Sequence, residues 1–270
     1  MLDAVAALVR SFPWAVAAGL LVGLVCALLG VFVILKRVVF IGITLSEIAA
    51  CGIAGAMLAG WPPLGGALVL TLGAVSLLAL PFENRRIPRD ALLGVLFVAA
   101  SSLSVLLVSQ SGSGLHEVRA LLYGDLILTT RADFFILCAI LIPSAVALLG
   151  FLRPVLYAFL DRESAAVLGA HPARWEFLFF ALLGLVVAAA SQTAGALLVF
   201  CYLVVPSAIA LLISRRLGHV LLLAGVIAAA GTLAGLAVSF AADLPTNQTI
   251  CAVLSIGFLP ALLLKFRKKV

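Results

Sequence analysis

The sequence predicts an all-α protein, a bundle of transmembrane helices, and three observations lead to that prediction. Hydrophobic residues make up 65% of the 270 residues and charged residues only 10%, where roughly 25% charged is usual in a soluble domain. The apolar residues form runs close to the ~20 residues that a helix needs to cross a bilayer. Most charges lie between these runs. A disulfide scaffold, a disordered chain and a nucleic-acid-binding domain are therefore excluded.

Nine apolar runs are candidate spans. The first and third begin at Pro13 and Pro63, where a missing backbone N–H is harmless because the first turn leaves it unbonded. The sixth run is short and can merge with the seventh through residues 191–193, so eight spans remain possible. Pro143 and Pro206 lie inside runs, where we expect each to kink or break its helix. The runs are residues 13–35, 40–60, 63–82, 91–109, 134–152, 176–190, 194–213, 220–242 and 249–264.

The lysines and arginines predict the orientation of these spans, because cytoplasmic loops are enriched in both residues. With the N-terminus outside and nine spans, all of the 17 Lys and Arg residues fall in cytoplasmic loops except Arg10, Arg119 and Arg131. Adding or losing one span would destroy this sorting. We therefore expect the C-terminus inside, with residues 1–270 forming a single transmembrane domain in the inner membrane of the cell.

Two segments between the runs are unusually long. Residues 111–133 lie outside in this topology and are too short and interrupted to span, so we expect a re-entrant or surface helix there. Residues 153–175 lie inside and contain a mixed charged and apolar stretch, 161–169, that ends in Gly169. This stretch is typical of a short amphipathic helix. It either docks another protein or lies on the lipid headgroups.

Catalytic motifs are absent from the sequence. It contains no GxxxxGK[ST], GxSxG, HExxH or CxxC pattern, and the five cysteines all fall inside apolar runs. We expect these thiols to be buried and reduced. The chain is not expected to be an enzyme, and any ATP hydrolysis has to occur on a separate subunit.

One acidic residue lies at a depth where a carboxylate is costly. Glu47 is two turns into the second run, whereas the other ten acidic residues lie in loops or near run ends. Burial in lipid costs about 2–3 kcal/mol, so such a group usually faces a pathway. Cys51 and Thr44 share its helix face. Carboxylate and thiol together could ligate a divalent transition metal, with other ligands from another helix or subunit. Alternatively, Glu47 hydrogen-bonds a neighbouring helix or is protonated, and Cys51 only packs. Gln192 is a secondary pathway candidate.

Several stretches, in the expected order along nearly the whole chain, resemble the zinc- and manganese-type ABC permeases. Residues 34–54, ILKRVVFIGITLSEIAACGIA, look like the second-helix signature of that family. Residues 123–127, YGDLI, and 161–169, DRESAAVLG, resemble its FGD/N-I-L and cytoplasmic coupling segments. The match continues through residues 191–199, 204–208, 215–216 and 243–245.

The resemblance implies the membrane subunit of an ATP-driven importer of a divalent metal. Two copies would pair with two cytoplasmic ATPase subunits and receive the metal from an external solute-binding protein. ATP would be used by the partner subunit, the metal would be the transported substrate, and no covalent cofactor or nucleic acid is implied. The coupling residues implied by the family segment are Asp161, Arg162, Glu163, Ala165 and Gly169.

The second helix departs from the family pattern. Family members carry Gly-Asp-Ala-x-Ser-His, whose Asp and His look metal-binding, and Ile43 and Glu47 occupy those two positions here. Metal ligation therefore carries over only to Glu47, as a changed ligand. An oxygen ligand favours manganese or iron(II) over zinc. Two alternatives stay open: an ABC permease for a non-metal small solute, and a proton-coupled secondary transporter that uses Glu47.

Overall fold

The protein is all α-helical in every part described by this computed structural model, which covers residues 12–79, 89–110, 124, 126–160 and 171–267. These ranges contain nine α-helices, one 3-10 turn at Leu126–Leu128 and no strand, so the predicted fold class is confirmed. The helices are α1 Pro13–Leu35, α2 Phe40–Ala59, α3 Pro63–Ala79, α4 Arg89–Gln110, α5 Arg131–Gly150, α6 Leu152–Leu160, α7 Pro172–Ile213, α8 Leu217–Ala242 and α9 Thr246–Arg267.

Seven of the helices described are long and apolar enough to cross a membrane, namely α1, α2, α4, α5, α7, α8 and α9. Helix α3 is also apolar but has only 17 residues. Helix α6, with nine residues, is too short to span and occupies the beginning of the predicted inside segment. The predicted amphipathic helix at 161–169 and most of the segment 111–133 lie outside the described residues.

Helix α7 is too long for a single crossing. Its 42 residues would measure about 63 Å at 1.5 Å per residue, twice the ~30 Å hydrocarbon core of a bilayer. Its only non-helical residue is Gly195, with φ 75° and ψ 158°. That conformation is accessible essentially to glycine alone. The long helix is therefore two segments, α7a (residues 172–194) and α7b (residues 196–213).

Contacts along α1 show that the chain reverses at Gly195. Helix α7a begins level with the end of α1, where Glu176 pairs with Lys36. The reversal itself lies near the other end of α1, because Gly195 contacts Gly124 and the neighbouring Leu126 packs on Gly19.

Helix α7b then runs back along α1. The Ser207 hydroxyl donates to the Ala27 carbonyl at 2.8 Å, and Leu203 contacts Gly30. Counting α3 and both halves of α7, the described helices form nine crossing segments that alternate in direction. We call the two ends of the bundle the Lys36 face and the Gly124 face.

The sequence placed the break between the sixth and seventh spans at residues 191–193, and the structure moves it to Gly195. The side-chain amide of Asn247, from the beginning of α9, donates to the Ala194 carbonyl at 2.9 Å. This bond satisfies a carbonyl that the helix break exposes.

Neither Pro143 nor Pro206 breaks its helix, one of the two outcomes that the sequence predicted, and a kink at each stays a prediction. Helices α5 and α7 continue through Pro143 and Pro206, with no non-helical residue at either position. Membrane helices tolerate proline where neighbouring helices and hydroxyl side chains satisfy the freed backbone groups. A serine follows each proline, but its hydroxyl bonds another carbonyl than the one the proline frees: Ser144 donates to the Ile140 carbonyl and Ser207 to the Ala27 carbonyl of α1.

We predict that Gly195→Ala destabilises the protein by about 1–3 kcal/mol, because alanine rarely adopts this backbone conformation. The matched control is Gly73→Ala on α3, where a Cβ meets no atom within 4 Å. The measurement is the free energy of unfolding in detergent micelles. Equal stability of the two variants would contradict the reversal at Gly195.

Candidate membrane-embedded site

Glu47 lies inside the bundle, on the face of α2 that packs against α4. It is 7% exposed, and every other carboxylate among the described residues lies within five residues of a helix start or directly after a helix end. In the folded chain, as in the sequence, Glu47 is therefore the described carboxylate that lies deep within a membrane helix, away from the helix ends.

Hydroxyl and backbone contacts define how α2 meets α4. The Thr44 hydroxyl is 3.0 Å from the Phe40 carbonyl of its own helix and 3.3 Å from the Leu93 carbonyl of α4. Three turns further on, Gly55 faces Leu107 of α4. Because residues 44, 47, 51 and 55 follow helical spacing, they form one stripe directed at α4.

Among the described residues, the Ser101 hydroxyl of α4 hydrogen-bonds the Glu47 carboxylate. Its Oε2 atom is buried and has no hydrogen-bond partner among the described residues. A buried carboxylate oxygen without a donor costs about 1–3 kcal/mol or more. Such a cost is typical of a site that serves a function rather than packing.

Cys51 is one turn along the same stripe, 3% exposed and within electrostatic range of the Glu47 carboxylate. The structure thus brings together the oxygen and sulfur donors that the sequence grouped. The described part of the chain contains no group of three or more His, Cys, Asp or Glu side chains that could hold a metal ion. A metal bound at Glu47 would therefore need ligands beyond these side chains.

Gln192 is not part of the Glu47 site. It lies at the Gly124 face, on the wall of a cavity of about 240 Å³ that it shares with Pro62, Asp133 and Thr193. Glu47 does not line that cavity. The sequence grouped both residues in one pathway; in the structure they lie at different membrane depths, since Gln192 is three residues from the reversal at Gly195, and the shared pathway stays a prediction.

The chain matches the sequence profile of the ABC 3 transport family over residues 9–265. It belongs to the ABC 3 transport family. This confirms the resemblance found in the sequence, and with it the prediction of a multi-pass transport protein of the cell membrane.

Individual relatives show the same likeness. The chain is 32% identical over 241 residues to the chelated iron transport system membrane protein YfeC of Yersinia pestis, covering 89% of this chain and 82% of that protein. It is 30% identical over 247 residues to the manganese transport system membrane protein MntC of Halalkalibacterium halodurans, covering 90% and 84%.

Among solved structures, PsaBC from Streptococcus pneumoniae in complex with Fab has the same fold. The TM-score is 0.86 at 22% identity, and the match covers 97% of this chain and 95% of that one. At this identity the likeness concerns the arrangement of helices, and the polar site has to be argued from the residues of this chain.

The sequence analysis did not predict two polar contacts, one at the Glu47 site and one at the Lys36 face. Ser101 partners Glu47, and its signal was the cluster of three serines at 101, 102 and 104 within an otherwise apolar run. Lys36 and Glu176 form an ion pair at the Lys36 face. No sequence signal pairs two residues 140 positions apart, because only the packing of α1 against α7 brings them together.

We predict that Ser101→Ala destabilises the protein by about 1–3 kcal/mol, since it removes the hydrogen bond to a buried carboxylate. The neighbouring Ser102 is exposed, so Ser102→Ala provides a control of identical chemistry on the same helix. Unfolding in detergent micelles measures both. If Ser102→Ala costs as much as Ser101→Ala, the Glu47–Ser101 contact is wrong.

Proposed function

We propose that this chain is the membrane-spanning permease subunit of an ABC importer that moves a divalent transition-metal ion. The observation that carries the proposal is the buried carboxylate of Glu47 inside the helix bundle of a transport protein. Its Oε2 atom has no hydrogen-bond partner among the described residues. Relatives named for manganese and iron transport support a metal substrate. Family membership favours this function over the non-metal solute and the proton-coupled secondary transporter that the sequence left open.

Glu47 would act as an oxygen ligand along the pathway, with the Cys51 sulfur and the Thr44 hydroxyl on the same stripe of α2. Ile43 cannot ligate, so the family's carboxylate at that position has no counterpart here. The remaining ligands would come from water or from the second copy of the chain. A carboxylate in place of the family's histidine favours manganese or iron(II) over zinc.

The transporter would contain two copies of this chain, two cytoplasmic ATPase subunits and an external solute-binding protein. The absence of a phosphate-binding GxxxxGK[ST] motif from the sequence supports a separate ATPase. The segment 161–169, outside the described residues, would dock into that subunit. The distribution of Lys and Arg supports a cytoplasmic Lys36 face and an external Gly124 face.

We predict that Glu47→Gln lowers metal uptake at least about tenfold, because the amide keeps the shape but loses the charge that attracts the cation, a difference of 1.4 kcal/mol or more. The measurement is metal-stimulated ATPase activity and radiometal uptake by the complete transporter in proteoliposomes. Asp90→Asn is the matched control, since Asp90 is exposed at the beginning of α4 and should leave uptake unchanged.

Unchanged uptake in the Glu47→Gln transporter would refute the role of Glu47 while leaving the family and the fold intact. A panel of manganese, iron(II) and zinc, set against organic solutes, tests the substrate class separately. Stimulation by an organic solute alone would refute the metal.

The orientation is tested by cysteine labelling at two exposed positions of α8, which begins at the Lys36 face and ends at the Gly124 face. In a chain with its native cysteines replaced by alanine, we expect Ala242→Cys to react with a membrane-impermeant maleimide in intact cells. Gly218→Cys should react only after the cells are permeabilised. The reverse pattern would invert the proposed topology.

A further inference from the structure

Lys36, at the end of α1, lies where three helices meet at the Lys36 face. Its ammonium group forms an ion pair with Glu176 of α7a, and the two side chains are only 16% and 12% exposed. The same ammonium lies 4.6 Å from the centre of the Phe159 ring of α6, a cation–π contact. One side chain thus contacts both α6 and α7a.

The two partners of Lys36 stand on either side of the segment 161–170. Phe159 is the penultimate residue of α6, and Glu176 is the fifth residue of α7. Both flanks of that segment therefore converge on one lysine.

Aromatic rings of α1, α6 and α7a pack against one another next to this ion pair. Phe159 meets the Phe179 ring edge-on, with ring centres 5.0 Å apart and an interplanar angle of 87°. Phe179 packs in turn on Phe32, one turn before Lys36, at 6.0 Å between ring centres. Apolar packing alone thus already holds α1, α6 and α7a together, so an ion pair is not needed for cohesion; mostly buried ion pairs contribute little net stability compared with apolar contacts of the same size.

Lys36 is also joined closely to the helix that carries Glu47. Only residues 36–39 separate α1 from α2, and this turn is tightly hydrogen-bonded: the Arg37 N–H donates to the Ile34 carbonyl at 3.0 Å and the Val38 N–H to the Val33 carbonyl at 3.2 Å. Arg37 adopts φ 60°, a left-handed conformation that closes the turn. A displacement of Lys36 therefore moves the start of α2, two turns before Glu47.

We propose that Lys36 is a positioning residue that ties both flanks of segment 161–170 to α2, so that movement of the segment displaces Glu47. The inference rests on the proposed function, in which this segment docks the ATPase. The ion pair with Glu176 makes the tie specific in position, because two opposite charges hold a defined contact whereas apolar side chains can slide. Lys36 itself does not touch the transported ion.

The experiment compares the complete transporter in proteoliposomes carrying Lys36→Met, Glu176→Gln, or the charge exchange Lys36→Glu with Glu176→Lys. The measured quantity is metal moved per ATP hydrolysed, together with the metal concentration for half-maximal uptake. The control is Lys265→Met, which removes an exposed lysine near the end of α9 and should behave as the wild type.

We expect each single variant to lower the metal moved per ATP about fivefold or more, a typical coupling between distant sites, with half-maximal uptake at an unchanged metal concentration. The charge exchange should recover a substantial part of the loss. Single variants with wild-type coupling would overturn the proposal. The amount of folded protein is measured by thermal unfolding. The proposal would also be overturned if uptake fell only in proportion to that amount while the metal moved per ATP hydrolysed stayed unchanged.

Failure of the proposed function is distinguishable from failure of this inference. If the wild-type complex shows no metal-stimulated ATP hydrolysis, the proposed function is wrong and the positioning role falls with it. If the wild type is active and Glu47→Gln is impaired while the Lys36 and Glu176 variants are normal, only the positioning role is wrong.

Discussion

Direct contact between backbones at glycine is the interaction on which the helix bundle depends. Lipid tails are as apolar as leucine, so helices in a membrane associate through close packing rather than through exclusion of water. A Cβ at Gly30 would collide with the Leu203 carbonyl, which fixes α7b against α1. Gly52 and Gly66 approach each other's carbonyls in the same way and fix α3 against α2. Backbone cannot move aside as a side chain can, so these contacts define one arrangement of helices.

This arrangement determines which face of α2 is left for the polar site. Gly52 turns one face towards α3, and Ala49 and Ile53 pack in a small apolar cluster with Ala188 of α7a. Glu47 is about 200° around the helix from Ala49, so its side chain must point away from that cluster, towards α4. There the Ser101 hydroxyl of α4 donates a hydrogen bond to the carboxylate. The position of the carboxylate is thus a consequence of small residues on the opposite faces of the same helix.

The sequence predicted the helices and the buried charge because both follow from local hydrophobicity and the cost of a carboxylate in lipid. It misplaced the break in α7 at residues 191–193, where polar side chains suggested a loop. The structure puts it at Gly195, where glycine tolerates the positive φ, and where the distant Gly124 and Asn247 contact Gly195 and Ala194. The depth of Gln192 also had to come from the structure, because polarity alone does not reveal where along the membrane normal a residue lies. Ser101 and the Lys36–Glu176 pair depend on helix neighbours far apart in sequence, which one sequence without packing does not reveal.

The two ends of the α7 hairpin are held by different kinds of interaction, and the difference has a mechanical consequence. At the Gly124 face the reversal is fixed by backbone contact with Gly124 and by the Asn247 amide on the Ala194 carbonyl. Steric exclusion there admits one geometry. At the Lys36 face, α7a is joined to α1 by side chains alone, through the Lys36–Glu176 ion pair and the Phe32–Phe179 ring contact. If α7 moves during transport, a hairpin held by backbone contact at the Gly124 face would be displaced most at the Lys36 face. Helix α2 begins at that face, and Glu47 lies in its second turn, within reach of the motion.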